Sequence, residues 1–268
     1  MDSHINIQFC GHAIQHFATL KTENQSIGDK YLERDVNLIW EPRYIVMDVG
    51  TQTAEIIRQT GTGGYAEGRK INTRHAARIL RVFCFHRLTD WFGSIPYFEA
   101  NRGIEGIIQP KYDKQRDIYA DLLNELDEAC AGLSTSNIDD GFAAADIIFK
   151  GDITKWKKWG YSLMLRLAMR VSNVDNAMAD KYVTKALSGG LMSNNDDNPW
   201  VPMAPGPNPA INQNGISRTF NPNSPNWSIT GSFLSKTLID WLMGPDKTSV
   251  ADDDPRLMIF SGGIIEWT

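Results

Sequence analysis

Residues 72–97, NTRHAARILRVFCFHRLTDWFGSIPY, decide the fold, because they read as one long amphipathic helix with an abrupt end. Asn72 is a favourable N-cap, and apolar side chains recur from Ala76 to Phe92 with the 3.6-residue period of a helix. Gly93 suits the position after a helix, and Pro96 cannot continue one. The stretch therefore predicts a buried central helix that leads into an extended segment.

Other parts of the chain show the same helical period. Apolar residues recur at helical spacing over about 4–20, 42–59, 114–133, 152–171, 178–187 and 232–242. Asp152 is the predicted N-cap of its helix, and Trp91, Trp156, Trp159 and Trp241 lie on apolar helix faces, which predicts their burial in the core. No convincing run of alternating apolar and polar residues indicates a strand, so the sequence predicts an all-α protein.

A repeat signal refines this prediction. Trp156-x-x-Trp159-Gly160-x-x-Leu163 approximates the opening of a tetratricopeptide helix, and the helix over 178–187 would be its antiparallel partner. Such helix pairs stack because no single pair can bury its own apolar face. We therefore predict a tetratricopeptide-like helical scaffold of the α-solenoid type with long irregular loops.

Composition excludes several classes of partner. The 268 residues, of which 42% are hydrophobic, are enough to bury a sizeable core. The net charge of -5 leaves no basic surplus for phosphate groups, so we predict no nucleic-acid partner and no binding to anionic membrane surfaces. No apolar run approaches the length of a membrane span.

No motif for catalysis, a metal or a cofactor is present in the sequence. His12 and His16 have metal-ligand spacing but no third ligand, so partly exposed histidines are favoured over a zinc site. The glycines at 61–64 follow a helix and precede no Lys-Ser/Thr, which favours a connector over a nucleotide-binding loop. The acidic residues at 252–254 lack the spacing of a calcium loop and are typical of a solvated turn. We predict no metal and no cofactor.

Ordered motifs between residues 72 and 258 carry a resemblance to a known family. They are Leu88–Tyr97 (LTDWFGSIPY), Pro110–Asp113 (PKYD) with Ile118-Tyr119 and Leu126–Ala129 (LDEA), Gly151-Asp152 with Lys155-Trp156 and Ser162–Arg170 (SLMLRLAMR), and Asp254–Leu257 (DPRL). Each motif is weak alone, but their order is specific. The set resembles the SusD/RagB family, surface glycan-binding lipoproteins of Bacteroidota.

The resemblance implies a fold, a partner and a location. Proteins of this family have a tetratricopeptide-like scaffold, hold oligosaccharides with loop aromatics and cap a SusC-type TonB-dependent transporter, and they are not known as enzymes. A location at the outer membrane, on the cell surface, is implied in the same way. Because Met1–His4 carries no signal peptide and Cys10 no lipobox, we expect one SusD-like domain over 1–268 that is truncated at both ends. The membrane would be reached only through a lipid anchor absent from this chain.

Aromatic residues in polar loops are the candidate ligand-binding residues. A pyranose ring has an apolar C–H face and a rim of hydroxyls, so it needs a flat apolar side chain beside polar ones. Such side chains occur in an early loop and in a Pro/Asn-rich loop insertion over 192–228. The predicted set is Tyr31, Arg34, Asn37 and Trp40 from the early loop, with Trp200, Arg218, Phe220 and Trp227 from the insertion. The alternative that these rings only anchor their loops stays open.

The predicted function is non-catalytic capture of an oligosaccharide and its delivery to a SusC-type transporter. Two other classes remain open at this point. A helical-barrel glycoside hydrolase would share the aromatic content, and its two carboxylates need not be close in sequence. A tetratricopeptide-like scaffold for protein–protein contacts would instead expose an apolar patch on its helix faces. The sequence names no particular glycan and does not exclude a peptide ligand.

Overall fold

The computed structural model describes residues 10–19, 50–139, 141–204, 232–246 and 252–260, and these are mostly helical. The chain divides into two compact units, one of Pro42–Pro202 and one of Met1–Glu41 with Met203–Thr268. The all-α prediction is confirmed. The predicted single domain with an insertion at 192–228 stays a prediction.

The helices are short to medium in length, and the strands have only two or three residues. In chain order the elements are β1 (Phe17–Thr19), α1 (Thr51–Thr60), α2 (Ile71–Phe92), β2 (Ile95–Pro96), β3 (Tyr112–Asp113), α3 (Gln115–Gly132), α4 (Phe142–Ala145), α5 (Ile153–Val171), α6 (Asn176–Gly189), β4 (Ser232–Leu234), α7 (Lys236–Leu242) and α8 (Arg256–Phe260). Short 3-10 turns lie at Gly103–Glu105 and Asn195–Asp197. No helix of these ranges combines the length and the apolar character that a membrane crossing requires.

In the larger unit α2 is the central helix, as predicted. It packs against α1, α3 and α5, and α5 in turn packs against α3 and α6. This order of helix pairs is the tetratricopeptide-like arrangement that the sequence predicted. The core residues that these helices share include Ile79, Val82, Phe85, Leu122, Leu126, Trp156, Trp159, Met164 and Leu167. Burial of Trp156 and Trp159 is confirmed, whereas Trp91, near the end of α2, is only partly buried.

A glycine brings the central helices unusually close together. A Cβ at Gly160 of α5 would lie 2.4 Å from the Cys130 sulfur of α3 and 3.1 Å from the Ile79 side chain of α2. Only a residue without a side chain fits at this crossing, because packed interiors leave no spare volume. Gly160, which the repeat motif contributes, is therefore the point where three helices meet.

The start of α2 differs from the prediction. The helix begins at Ile71, and the predicted N-cap Asn72 instead donates to the carbonyl oxygens of Ser134 and Asn137, at 2.9 and 2.8 Å. The cap comes from a distant residue, Asp139, whose carboxylate accepts from the backbone N–H of Thr73 at 2.6 Å and from its hydroxyl at 2.8 Å. The N-cap prediction is wrong because the Asn72 side chain binds loop carbonyl oxygens, and Asp139 caps the helix in its place.

The end of α2 follows the prediction. Gly93 has a φ of +70°, which suits glycine, and the chain then enters β2. β2 pairs antiparallel with β3, with Ile95 opposite Asp113. The buried Asp113 carboxylate accepts from the backbone N–H groups of Tyr97 and Phe98, at 3.1 and 2.9 Å. Asp113 of the PKYD motif therefore fixes the backbone of Tyr97, the last residue of the LTDWFGSIPY motif.

The smaller unit corrects two helix predictions. β1 pairs antiparallel with β4, and Phe17 lies opposite Leu234, so neither residue belongs to the helices predicted over 4–20 and 232–242. α7 begins at Lys236, with the Ser235 hydroxyl as its N-cap. Trp241 of α7 is 69% exposed, so its predicted burial is wrong. Pairing between residues far apart in sequence overrides the local helical period here.

Candidate ligand-binding site

Most of the predicted ligand-binding residues lie outside the described part of the chain. These are Tyr31, Arg34, Asn37 and Trp40 of the early loop and Arg218, Phe220 and Trp227 of the insertion. Trp200 is described, and its side chain is 74% exposed. A ring this exposed has a free face for a ligand, and its role in binding stays a prediction.

The segment that precedes Trp200 is held in place by polar contacts that do not involve the tryptophan ring. The Asp197 carboxylate accepts from Lys158 Nζ of α5 at 2.9 and 3.1 Å and from the backbone N–H of Ser193 at 2.9 Å. Hydrogen bonding by Ser193 and then by Lys158 lowers the pKa of Asp197. The Ser162 hydroxyl of α5 accepts from the backbone N–H of Met192 at 2.9 Å. The start of the insertion is therefore attached to the helical scaffold without using the tryptophan.

A cleft of about 720 Å³ opens at one end of the helical scaffold. It lies where α2 and α5 end and where α3 and α6 begin. Its lining combines polar side chains with apolar ones; the polar set includes Asp90, Gln115, Arg116, Tyr119 and Arg170, and the apolar set is Val171, Val174 and Met178. The volume is within the range of small-ligand sites in proteins, roughly 300–1,000 Å³. We refer to this site as the helix-end cleft.

One carboxylate connects several of the polar residues in the helix-end cleft. Asp90 of α2 forms an ion pair of 2.5 Å with Arg170 of α5 and accepts a hydrogen bond from the Tyr119 hydroxyl of α3. Burial raises the pKa of Tyr119, and its bond to Asp90 raises it further, so the phenol stays protonated. Each residue comes from a different motif of the sequence, LTD, IY and LRLAMR. These motifs therefore meet at one place in the fold.

The helix-end cleft offers binding groups and no recognisable catalytic pair. Its two carboxylates are both engaged, Asp90 as described and Asp175 as the N-cap of α6, where it accepts from the backbone N–H of Met178 at 2.9 Å. A glycosidase needs one carboxyl group that donates a proton to the leaving oxygen and a second that acts as base or nucleophile. Neither carboxylate can take one of these roles without giving up its protein partner.

Candidate metal ligands do not cluster within the described ranges, which hold no group of three or more His, Cys, Asp or Glu side chains with metal-site geometry. His12 is buried and His16 is exposed, so the two predicted partly exposed histidines differ in environment. In the acidic turn, Asp253 accepts from the backbone N–H of Gly244 at 2.8 Å. Asp254 accepts from Arg256, and this bond lowers its pKa to about 2. These contacts favour a structural turn over a calcium loop.

Sequence reasoning missed the helix-end cleft. Asp90, Tyr119 and Arg170 were recognised as motif residues, but nothing in their spacing shows that they converge. Their contact depends on how α2, α3 and α5 pack, because the three residues lie on three helices. Arg116 and Gln115 carry no signal beyond their place at the start of a helix.

Comparison with known proteins agrees with the resemblance drawn from the motifs. Residues 2–265 match the sequence model of the SusD-like family, described as "Starch-binding associating with outer membrane". The comparison with curated proteins finds no match.

Solved structures show the same fold. One is a chitin-binding protein, with 30% identity and a TM-score of 0.72 over 96% of this chain and 50% of that protein. Another is a SusD homologue from Parabacteroides distasonis, with 26% identity and a TM-score of 0.70 over 90% and 45%. A third is a chitin-binding SusD homologue from Flavobacterium johnsoniae, with 29% identity and a TM-score of 0.56 over 73% and 39%. The chain spans about half the length of the first of these.

Proposed function

The chain belongs to the SusD-like family, and on that premise we propose that it captures oligosaccharides at the outer membrane and delivers them to a SusC-type TonB-dependent transporter. The observation that carries the proposal is the family match, which extends over residues 2–265. A starch-type or chitin-type glycan is the proposed ligand. The proposed location is the cell surface, through a lipid anchor.

Exposed aromatic side chains support a binding role. Trp200 presents most of its ring to solvent on a segment that Asp197 and Lys158 fix to the scaffold. A fixed segment lowers the entropy lost when a ligand orders its binding site. The proposed ligand contacts are Trp200 with the loop residues predicted from the sequence, Tyr31, Arg34, Asn37, Trp40, Arg218, Phe220 and Trp227.

Affinity electrophoresis tests the binding step. The protein is run in native gels that contain soluble starch, glycol chitin or no polysaccharide, with a protein of similar charge as the control. We expect retardation by at least one polysaccharide and none in the empty gel. Equal mobility in all gels, together with no retention on a wider glycan array, would contradict glycan binding.

Delivery requires a separate test. We expect the protein to co-purify from outer membranes with a SusC-type transporter after gentle detergent extraction. We also expect a protease added to intact cells to degrade the protein, because the proposed location is the cell surface. Protection from protease in intact cells, or purification free of any transporter, would contradict this part of the proposal.

A glycoside hydrolase is the second candidate, and the described residues give it less support. Both carboxylates of the helix-end cleft are engaged by an arginine or by a helix terminus. The family match also describes binding, with no reaction named. We therefore propose a binding protein without catalytic activity.

A further inference from the structure

The helix-end cleft has unused hydrogen-bond donors. Its carboxylates, Asp90 and Asp175, already accept from protein groups. Arg116, in contrast, is exposed at the rim of the cleft and makes no hydrogen bond or ion pair with any described residue. A guanidinium offers five N–H donors and no acceptor. The groups of the cleft that remain available to a ligand are therefore mainly N–H donors on a positively charged side chain.

Arginines of α2 and α5 that do not line the cleft add positive charge near Asp90 and Arg170. Arg166 lies one helical turn before Arg170 on the same face of α5, and it is exposed without an ion pair to the part of the chain that the structure describes. Arg87 of α2 lies over the Trp91 ring, 5.1 Å from its centre. Burial lowers the pKa of Arg87, and the charges of Arg166 and Arg170 lower it further. Asp90 offsets part of this positive charge.

Such a cluster favours an anion. A carboxylate accepts two parallel N–H bonds from one guanidinium, and charge-assisted bonds of this kind are roughly twice as strong as neutral ones. A bound anion would also relieve the repulsion among Arg87, Arg166 and Arg170. The cleft lining also contains the apolar side chains Val171 and Met178. A ligand that matches both kinds of residue has a carboxylate and a C–H surface.

We propose that the helix-end cleft binds a carboxylate-bearing saccharide such as a uronic acid, with Arg116 as the donor to its carboxylate and Arg166 as a source of positive charge outside the cleft lining. The apolar face of the sugar ring then lies against Val171 and Met178. The cleft volume of about 720 Å³ suits one to a few sugar rings better than a folded partner. One part of this inference rests on the proposed function, namely that the carboxylate belongs to a saccharide.

The experiment compares two probes that share the same sugar chain and differ in the charge of their carboxyl groups, each of which carries a methyl in the neutral probe. Trigalacturonic acid and its methyl ester are titrated calorimetrically into the protein at low ionic strength, where exposed charges are least screened. We expect the acid to bind at least on the order of tenfold more tightly than the ester, because a hydrogen-bonded charge is lost in the ester. Hexaglutamate serves as an acidic peptide without a sugar ring.

Variants locate the site. Arg116→Gln should remove most of the preference for the acid, because it weakens binding of the acid more than that of the ester, and Arg166→Gln should reduce the preference to a smaller extent. Arg102→Gln is the matched control, because Arg102 is an exposed arginine paired with Glu105 away from the cleft, and it should keep the preference. Melting temperatures of the variants check that each one is folded.

Several results would overturn the inference. They are equal affinity for acid and ester, no binding of either, an undiminished preference in both of these arginine variants, and hexaglutamate binding as tightly as the acid. Retardation by starch or chitin is scored separately with uncharged polysaccharides. The inference can therefore fail while the proposed function holds, and a site for uronic acids can persist if neutral glycans do not bind.

Discussion

At the scale of single residues, aspartates hold separate segments of the chain together. Asp113 binds the backbone at Tyr97, and Asp90 binds Arg170. Asp146 accepts from the indole N–H of Trp156 at 2.7 Å and from the backbone N–H of Gly151 at 2.9 Å. Buried carboxylates need such partners, since an unpaired one costs several kcal/mol.

Gly160→Ala tests the close helix crossing. In an exposed helix the change would stabilise by up to about 1 kcal/mol through helix propensity. Here the new methyl would lie 2.4 Å from the Cys130 sulfur, so we expect a loss of about 1–3 kcal/mol in the free energy of unfolding, measured with urea. Gly103→Ala is the control, because nothing lies within 4 Å of its added methyl. Equal stability of the two variants would contradict the tight crossing.

Trp200→Ala separates binding from anchoring. The ring is 74% exposed, so its loss should leave the melting temperature unchanged and weaken glycan binding several-fold, the effect of about 1 kcal/mol of lost stacking. Trp156→Ala is the contrasting variant, because its ring is 2% exposed and its removal should cost about 3–5 kcal/mol of stability. A lower melting temperature with unchanged binding in Trp200→Ala would make the ring an anchor.

Two histidines of α2 make stability depend on pH. Burial lowers the pKa of His86 to about 4, and burial with the charges of Arg78 and Arg74 lowers that of His75 to about 4. An unfolded histidine titrates near 6.5, so between pH 6.5 and 4 the unfolded chain binds protons that the folded chain does not. Their contribution to stability is therefore complete above pH 6.5 and is lost as the pH falls towards 4.

Urea unfolding at pH 7.5 and pH 4.5 measures this effect. We expect His86 alone to account for a loss on the order of 2 kcal/mol, because its ring is 2% exposed. His86→Gln should reduce the difference between the two pH values, whatever its stability at pH 7.5. The same difference in the variant and the unchanged protein would show that His86 is not responsible.

At the scale of elements, α2 depends on a cap from outside its own sequence. Asp139 accepts from the backbone N–H of Thr73 at 2.6 Å in the first turn of the helix. Asp139→Ala should therefore lower the free energy of unfolding by about 0.5–2 kcal/mol, as the loss of a local N-cap does. Asp152→Ala removes the local cap of α5, where the aspartate accepts from the backbone N–H of Lys155 at 3.1 Å, and gives the comparison. No loss in Asp139→Ala would mean that this contact does not stabilise α2.

The elements also show how far sequence reasoning reached. The helical period predicted α2, α3, α5 and α6, because their apolar residues face one shared core. It failed at β1 and β4, because their pairing joins Phe17 to Leu234 across most of the chain. The same distinction between local and long-range contacts applies to the helix N-caps. Asp152 acts on its own helix and was predicted, whereas Asp139 acts on a helix that precedes it in the chain.

At the scale of the whole molecule, the family and the fold were predictable and the site was not. Motifs in a fixed order need only the sequence, and the family match confirms them. The helix-end cleft needs the packing of separate helices, so Asp90, Tyr119 and Arg170 showed no common role in advance. Of the predicted ligand contacts only Trp200 lies in the described ranges, and its binding role is still a prediction.

The central claim is that this chain binds glycans without hydrolysing them. Equilibrium dialysis against a panel of starch and chitin oligosaccharides, followed by assay of reducing ends in the same samples, tests it most directly. The account predicts saturable retention of at least one oligosaccharide and no new reducing ends after long incubation. New reducing ends in many-fold molar excess over the protein, abolished by changing one Asp or Glu, would contradict the claim, as would the absence of retention across the panel.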